Sequence, residues 1–422
     1  MPNFDLSDRV FLDACGRFST PFHLYDEAGI RRRIRTVKAA FAWAPEFIEY
    51  FAVKALPNPR ILKIFREEGC GLDCSSLCEL RLADMAGVPG GRIMFSANAM
   101  PSSELTEAYD RGCCINLDDA TDADTLIRLG RVPEEVCLRY NPGGELSVGS
   151  AIMGQPGESK YGMPFDQMLS TLLKLRAHGV KAFGVHALLA SNCLTEDYYP
   201  LLSRELFALG KRLRDESGLA FSYVNLSGGV GIPYRPDDQA ADIGVIGERI
   251  RKEYINAFGP DPAGPGIRAE MGRYMTGPFG WLVTKVIHEK KIYKDYLGVD
   301  ATAACLMRPA MYGAYHHIHC VGKRDLENTK VYDVTGALCE NNDKFAVDRP
   351  LPEIEKGDIL VIHDTGAHGY SMGYNYNGRT RSAEILYTAD GGYKMIRRAE
   401  TAADYFATLD VDPDYSTISP GR

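Results

Sequence analysis

The sequence predicts an α/β protein: a closed (β/α)8 TIM-type barrel with a second, mostly antiparallel β domain. Strand-like and amphipathic helical stretches alternate eight times over roughly 250 residues, which is the unit count of such a barrel. After about residue 280 the pattern changes to strands joined by short turns. The length of 422 residues also fits two domains better than one small core. We therefore assign 28–280 to the barrel, and 1–27 with 281–422 to the β domain.

The predicted barrel strands are short apolar runs, as expected for parallel strands that are buried on both faces. Stretches with the helical period of 3.6 residues lie between most of them, which implies right-handed crossovers. An open, doubly wound sheet is the alternative arrangement. The predicted strands are Phe47–Val53, Gly71–Ser75, Arg92–Ala97, Cys114–Asp118, Val136–Tyr140, Ala182–Leu188, Tyr223–Leu226 and Ile267–Met271. The clearest predicted helices are Pro59–Glu68, Leu77–Ala86, Ser103–Asp110, Asp166–Ala177 and Tyr199–Asp215.

The β domain is predicted from three strand-like runs, Lys330–Val334, Ile359–His363 and Ala383–Tyr387, which alternate with Gly- and Asp-containing turns. A further strand-like run around Leu24 can join them, which would put both ends of the chain in one domain. The tail after Asp410 is rich in Asp, Pro, Ser and Gly, and this composition predicts a frayed end.

Composition and charge narrow the function classes. The net charge of −8 does not favour a nucleic-acid-binding surface. The first residues do not resemble a signal peptide, and no apolar run is long enough to span a membrane. The 11 cysteines are therefore expected to be reduced thiols in the cytoplasm. No metal is assigned, because neither the Cys70, Cys74, Cys78 series nor the His316, His317, His319 cluster has the spacing of a metal site.

The stretch from Tyr50 to Pro59 places a single lysine, Lys54, where a buried strand is predicted to end. Burial is costly for an ammonium ion and lowers its pKa, which favours the free amine that attacks carbonyl groups. A lysine at a strand end can instead extend its amine to solvent, so this position alone does not assign chemistry.

Other polar residues follow the predicted barrel strands, at the strand ends where barrels hold their active sites. Taken singly, His186 fits a core histidine, the Gly228–Gly231 turn fits an ordinary turn, and Glu270 fits an ion pair with Arg273. Together with Lys54 they supply an amine, a phosphate cradle, an imidazole and a carboxylate, which are the needs of a pyridoxal phosphate site. The same ends also carry Asp73 to Ser76, Asn98 and Arg139.

These residues stand in motifs that resemble the fold-type III pyridoxal phosphate decarboxylases over nearly the whole chain. Within that family the C-terminal half most resembles diaminopimelate decarboxylases, because Cys339-Glu340-Asn341 stands where ornithine and arginine decarboxylases usually have Cys-Asp-Gly. The matching motifs include Tyr50–Ala55, Asp73–Ser76, Arg139–Pro142, Ser159–Gly162, Gly228–Gly231, Glu270–Arg273, Met307–Tyr312, Cys339–Asp343, His363–Ala367 and Asn375–Asn377.

The resemblance implies a role for each site residue. Lys54 matches the Schiff-base lysine, His186 the histidine on the cofactor ring, and Glu270 the partner of the pyridine nitrogen. Cys339 matches the thiol that protonates the product carbon, although an inert thiol is the alternative. The phosphate contacts match Gly228, Gly229, Gly272, Arg273 and Tyr376. The substrate contacts match Arg273, Arg308, Tyr312, Glu340 and Tyr376.

The implied reaction removes CO2 from the D-centre of meso-2,6-diaminopimelate to give L-lysine, in a homodimer with shared active sites. Cys339 and Glu340 would then come from the partner subunit. A racemase with the same cofactor and fold is one alternative, although racemases pair the pyridine nitrogen with an arginine where this chain has Glu270. Three departures from the family pattern keep D-lysine or D-ornithine decarboxylation as another. The run from His186 to Asn192 is longer than the usual His-Ile-Gly-Ser, which leaves the role of Ser191 open; Met271 replaces a proline; and Ser227 replaces a glycine. A non-catalytic partner of a related decarboxylase is a third class, disfavoured by Lys54 and Cys339.

Overall fold

The structure is a computed structural model that describes residues 6–144, 155–260 and 264–410. The chain divides into two compact units, one of Met1–Ile30, Tyr234–Asp237 and Thr276–Arg422 and one of Arg31–Pro233 and Asp238–Met275. The sequence put the two main boundaries at 27/28 and 280/281, within five residues of these. The tail after Asp410, predicted to be frayed, lies outside the described residues.

The chain enters the first unit through helix α1 (Asp8–Cys15) and strand β1 (Phe22–Asp26). Helix α2 (Glu27–Ala40) then crosses the boundary between the units in sequence. Among the described residues of the second unit, eight parallel strands pair in sequence order and close into a barrel, as predicted. These strands are β2 (Phe47–Ala52), β3 (Gly71–Cys74), β4 (Ile93–Ser96), β5 (Cys114–Leu117), β6 (Glu135–Arg139), β7 (Ala182–His186), β8 (Ala220–Asn225) and β9 (Gly266–Ala269).

Local sequence signals explain where the barrel helices begin and end. The Asn58 side chain accepts the N–H of Arg60 just before one helix, and Pro59 fills its first position. The Ser76 hydroxyl caps the next helix, which ends at Gly87 with φ 73°. The helices are α3 (Pro59–Glu67), α4 (Leu77–Ala86), α5 (Ser102–Asp110), α6 (Ala120–Leu129), α7 (Phe165–Arg176), α8 (Tyr198–Ser217), α9 (Ile243–Phe258) and the short α10 (Arg273–Thr276).

The barrel interior contains a packed layer drawn from alternate strands. Ile48 and Tyr50 of β2 meet Met94 of β4, Cys137 of β6 and Tyr223 of β8 in one buried cluster. This is the layered filling that makes such a barrel a core rather than a pore. Any ligand site is therefore expected at the carboxyl ends of the strands, beyond this layer.

Nine strands of the described part of the first unit form a mostly antiparallel sheet, which confirms the predicted β domain. Strand β1 pairs antiparallel with the first strand after the barrel and parallel with Ala383–Tyr387, so the run around Leu24 does join this sheet. The remaining strands are β10 (Gly280–Lys291), β11 (Asp295–Val299), β12 (Ile318–Cys320), β13 (Lys330–Thr335), β14 (Lys344–Leu351), β15 (Ile359–Ile362), β16 (Ala383–Tyr387) and β17 (Tyr393–Arg397). The remaining helices are α11 (Arg308–Tyr312) and α12 (Ala402–Phe406).

The β sheet has its own hydrophobic core, in which Leu297, Val334, Phe345, Leu360 and Ile362 are almost wholly buried. Each unit thus buries an apolar core of its own, as separate domains do. A search of the described helices finds none with the length and hydropathy needed to cross a membrane.

Candidate active site

Lys54 follows strand β2, but its side chain is exposed, and the expectation that it is buried is wrong. The strand ends at Ala52, and Val53–Ala55 form a 3-10 turn. This turn carries the lysine out of the sheet while Val53 and Ala55 stay buried. Burial is therefore not what would make this amine reactive. Its charge still acts on the strand ends, because it counters the burial that raises the pKa of Asp73.

Glu270 follows strand β9, and each of its two carboxylate oxygens accepts a hydrogen bond from a barrel side chain. Asn225 Nδ2 donates to Glu270 Oε1 at 2.6 Å, and Ser227 Oγ donates to Oε2 at 3.0 Å. Burial alone would raise the pKa of Glu270, but the adjacent His186 ring and the Asn225 hydrogen bond outweigh it and lower the pKa. The structure therefore favours an ionised carboxylate here.

His186 ends strand β7 and is buried with one ring nitrogen beside this carboxylate. Its Nε2 lies 3.3 Å from Glu270 Oε2, an ion-pair distance without the alignment of a hydrogen bond. Asp73 on strand β3 is also buried, and its Oδ1 has no hydrogen-bond partner among the described residues. Burial and then the charge of Glu270 raise the pKa of Asp73 well above its usual range. The pKa values of the two acids are thus shifted in opposite directions, that of Glu270 downward and that of Asp73 upward.

The glycine turn after strand β8 has the geometry of an anion cradle. Ser227 has φ 56° and Gly229 has φ 126°, so the chain reverses sharply here. Among the described residues, the backbone N–H groups of Gly228 and Gly229 make no protein hydrogen bond. A side chain at Gly228 would stand 2.8 Å from the carbonyl oxygen of Glu270. Two backbone N–H groups that no side chain covers can donate hydrogen bonds to a phosphate.

The altered run after His186 packs on this turn. Cys193 exchanges backbone hydrogen bonds with it, from its N–H to Gly229 O and from Gly231 N–H to its own carbonyl, both at 2.8 Å. Asn192 has φ 56°, and its side chain accepts the N–H of Ile232 at 2.9 Å. The Leu189 N–H donates to the Tyr198 hydroxyl at 3.0 Å. These hydrogen bonds attach the extra residues to the glycine turn, so that they form one side of it.

Three further barrel residues lie in different surroundings. Gly272 is needed for close packing, since a Cβ there would lie 2.8 Å from the Cβ of Ala55. Arg273 begins helix α10 and is buried, with 8% of its surface exposed. Arg139, also at a strand end, pairs instead with Asp118 at 3.1 Å and lies over the ring of Tyr161.

The β-domain unit holds four of the five predicted substrate residues, and the fifth, Arg273, belongs to the barrel unit. Arg308 begins helix α11 and is buried, with its guanidinium carbon 5.4 Å from the ring centre of Tyr234 and 6.0 Å from that of Tyr312. These rings can hold the guanidinium plane by cation–π contact. Tyr312 itself is 45% exposed.

Glu340 and Tyr376 line one cavity of about 370 Å³ in this unit, together with Met307, Met311 and Tyr374. The adjacent Cys339 is exposed, and its backbone N–H donates to Asn377 Oδ1 at 2.7 Å. Glu340 thus lines a cavity that methionine and tyrosine side chains also line, and the exposed Cys339 is its neighbour in the chain.

The two clusters considered for metals have other arrangements. His319 Nδ1 lies 2.6 Å from His363 Nε2, and His316 Nδ1 lies 2.7 Å from the His363 carbonyl oxygen. Within the described ranges, no group of three His, Cys, Asp or Glu side chains could hold a metal ion. Cys70 and Cys74 are buried free thiols, whereas Cys78 is exposed.

Sequence reasoning missed the residues that fix Glu270. Asn225 is fully buried, and besides binding Glu270 its Oδ1 accepts the N–H of Ser227 at 2.8 Å. In the sequence, Ser227 stands out only as a departure from glycine, whereas in the structure its hydroxyl donates a hydrogen bond to the Glu270 carboxylate. A polar side chain at the end of an apolar strand was the available signal for Asn225.

Comparison with known proteins identifies the class. Residues 27–277 match the family model described as "Pyridoxal-dependent decarboxylase, pyridoxal binding domain". The chain is 33% identical to diaminopimelate decarboxylase of Methanothermobacter thermautotrophicus, over 96% of each chain. It is 41% identical to protein TabA of Pseudomonas amygdali pv. tabaci, over 94% of this chain and 92% of that protein.

A solved structure has the same architecture. Diaminopimelate decarboxylase of M. jannaschii in complex with L-lysine aligns with a TM-score of 0.88 and 29% identity, covering 96% of this chain and 95% of that one. The chain therefore belongs to the pyridoxal-dependent decarboxylases, as its motifs indicated. It is a carboxy-lyase that uses pyridoxal phosphate, and the glycine turn, the ionised Glu270 and the accessible Lys54 amine fit that cofactor.

Proposed function

We propose that this chain removes CO2 from the D-centre of meso-2,6-diaminopimelate and forms L-lysine, the last step of lysine biosynthesis. The observation that carries the proposal is that the chain supplies both a buried guanidinium, Arg308, and an exposed carboxylate, Glu340, at the positions that match the substrate contacts. The distal end of this substrate carries one carboxylate and one ammonium group. A fork-shaped cation and an anion match those two charges.

The cofactor side of the proposal assigns roles to the barrel residues. Lys54 would bind the cofactor aldehyde, Gly228, Gly229, Gly272, Arg273 and Tyr376 its phosphate, His186 its ring, and Glu270 its pyridine nitrogen. When bound, pyridoxal phosphate supplies a conjugated ring that accepts the electron pair of the bond broken at the α-carbon. Glu270 is suited to its role because its lowered pKa keeps a negative charge beside a protonated nitrogen.

On the substrate side, Arg273, Arg308 and Tyr312 would bind the distal carboxylate, Tyr376 would add a further contact, and Glu340 would bind the distal ammonium group. Gripping the end that does not react also orients the bond that breaks. Cys339 would deliver the proton that replaces CO2. We place this chemistry in a cytoplasmic homodimer whose subunits share active sites, a proposal supported by the exposure of Cys339 and Glu340 and by eleven free thiols.

A second candidate is decarboxylation of D-lysine or D-ornithine. It is supported by the altered run from His186 to Asn192, which differs from the family pattern and, with the adjoining Cys193, packs on the glycine turn. Racemisation is less well supported, because related racemases pair the pyridine nitrogen with an arginine and this chain has Glu270.

Purified protein with pyridoxal phosphate should release CO2 from meso-diaminopimelate, and not from D-lysine, D-ornithine, L-lysine or L-ornithine. Arg308→Leu should raise KM for meso-diaminopimelate by roughly tenfold or more, the effect of losing a charged hydrogen bond. Release mainly from D-lysine or D-ornithine would keep the decarboxylase and replace its substrate. Interconversion of enantiomers without CO2 would favour the racemase.

A further inference from the structure

Strand β2 carries one acidic side chain in an otherwise apolar run, and that side chain is buried. Glu49 is 2% exposed. Its Oε1 accepts the backbone N–H of Met271 at 2.7 Å. Its Oε2 is buried and has no hydrogen-bond partner among the described residues. A buried carboxyl group with a single hydrogen bond is costly in a fold, so its retention here calls for a function.

The acceptor role of Glu49 acts on the turn that carries Glu270. The N–H of Glu270 donates to the Ser227 carbonyl at 2.8 Å, and the N–H of the next residue donates to Glu49. Gly272, the third residue of the turn, leaves no room for a Cβ against Ala55, the neighbour of Lys54. Hydrogen bonds therefore hold the first two residues of the turn, Glu49 accepting the second of them, and the third residue packs closely on Ala55.

We propose that Glu49 is a positioning residue for Glu270: by accepting the Met271 N–H, it fixes the turn behind the carboxylate against the strand that leads to Lys54. The proposal rests on the proposed role of Glu270. It also gives a physical reason for the Met271 departure. Proline, the usual residue there, has no N–H to satisfy, whereas a methionine N–H that is buried needs an acceptor. Glu49 and Met271 form a matched pair.

The surroundings of Glu49 favour its neutral form. Burial, together with the negative charges of Glu270 and Asp73, raises its pKa well above the usual range, although the Met271 N–H acts in the opposite direction. Cys70 and Tyr199 are the other titratable groups that its charge would affect. Glutamine has the same acceptor oxygen and nearly the same shape, so Glu49→Gln should preserve the contact. Leucine keeps the volume and removes the acceptor.

The test compares Glu49→Leu, Glu49→Gln, Met271→Pro and the double variant Glu49→Leu/Met271→Pro in the enzyme reconstituted with pyridoxal phosphate. The readouts are the absorbance spectrum of the bound cofactor, its dissociation constant, and kcat and KM. Glu49→Leu should weaken cofactor binding or kcat by roughly tenfold, the usual effect of leaving a buried N–H without an acceptor. Glu49→Gln should stay within about threefold of the parent.

The double variant is decisive because it removes the donor as well as the acceptor. It should recover at least part of what Glu49→Leu loses, so that the two single effects do not multiply. Full multiplication of the single effects would overturn the proposal, and so would a Glu49→Gln enzyme as impaired as Glu49→Leu. If Glu49→Leu does not fold, the Glu49→Gln enzyme still decides, because loss of activity in a folded Gln variant contradicts the neutral-acceptor role.

A matched control separates positioning from general stability. Asp122 is a buried acid of the same unit whose Oδ2 accepts the N–H of Asp119 at 3.1 Å, within a helix cap. Asp122→Leu should lower Tm without moving the cofactor spectrum, whereas Glu49→Leu should move the spectrum. Glu270→Gln is measured in parallel. An unchanged spectrum in Glu270→Gln would overturn the role of Glu270 and this proposal with it, while a change there without one in Glu49→Leu would overturn this proposal alone.

Discussion

The two units prepare their site residues in different ways. In the barrel, His186 and Glu270 are 2% and 6% exposed and lie in one network with Asn225 and Ser227. In the β-domain unit, by contrast, Tyr312 and Tyr376 are 45% and 41% exposed, and Cys339 is exposed as well. The protein's own side chains thus hold these barrel residues in place, which suits a cofactor that remains bound. The exposed residues of the β-domain unit suit a substrate that binds and leaves.

This contrast predicts that changes in the barrel alter cofactor binding, while changes in the β-domain unit alter turnover with the cofactor still in place. The largest effect is expected at Lys54. Lys54→Ala should lower decarboxylation by more than about 10³-fold, because the covalent nucleophile is lost. The absorbance of bound cofactor should disappear as well. Lys63→Ala removes an exposed lysine of helix α3 and should change neither.

Cys339→Ala should lower turnover while the cofactor stays bound, in contrast to Lys54→Ala. We expect kcat to fall by about 10²-fold, the contribution of a positioned proton donor. The cofactor spectrum and dissociation constant should remain those of the parent. Stopped-flow turnover and a cofactor titration measure the two quantities, with Cys78→Ala as the control at another exposed thiol. Parent-level kcat in Cys339→Ala would remove this thiol from the reaction.

Ser227→Ala tests the hydrogen-bond network around Glu270 by removing one of its bonds. Loss of the hydroxyl that donates to Glu270 Oε2 should lower kcat by about five- to tenfold, the value of one typical side-chain hydrogen bond. Ser203→Ala deletes a buried hydroxyl that donates to the carbonyl of Pro200 in helix α8, and should leave kcat unchanged. Equal effects of the two variants would mean that the Ser227 hydroxyl does not act through Glu270.

The smallest effect is expected on stability at Asp73. Because burial raises the pKa of this acid above its unfolded value of about 4, its stabilising contribution is complete below that pH. That contribution is lost as the pH rises through the folded pKa. Asp73→Asn cannot ionise, so its free energy of unfolding without cofactor should fall less with rising pH than that of the parent. Urea titrations at pH 5 and pH 8 measure this, and parallel pH dependence in the two proteins would contradict it.

The fold was predictable because its local signals agree. Helix α4 was predicted to the residue because Ser76 caps its start and Gly87 allows its left-handed end. Strand β8 was harder to bound. It begins at Ala220, three residues before the prediction, because its first residues are only partly buried and lack the apolar pattern.

For the site, the sequence predicts which residues lie at the strand ends, but not how their side chains are placed or what they contact. The positions of His186, Glu270 and the glycine turn at strand ends follow from the alternation of strands and helices. The exposure of Lys54 does not, because it depends on a single 3-10 turn after Ala52. The contacts of Glu270 with Asn225, and of Glu49 with Met271, join residues 45 and 222 positions apart. Such pairings arise only when the barrel closes, so no local pattern encodes them.

The central claim is that the barrel unit binds pyridoxal phosphate through Lys54. The most direct test is to reduce the reconstituted enzyme with borohydride, digest it and locate the attached pyridoxyl group by mass spectrometry. We predict one modified peptide, with the added mass on Lys54. Modification at any other lysine, or none in an enzyme that still releases CO2, would contradict the account.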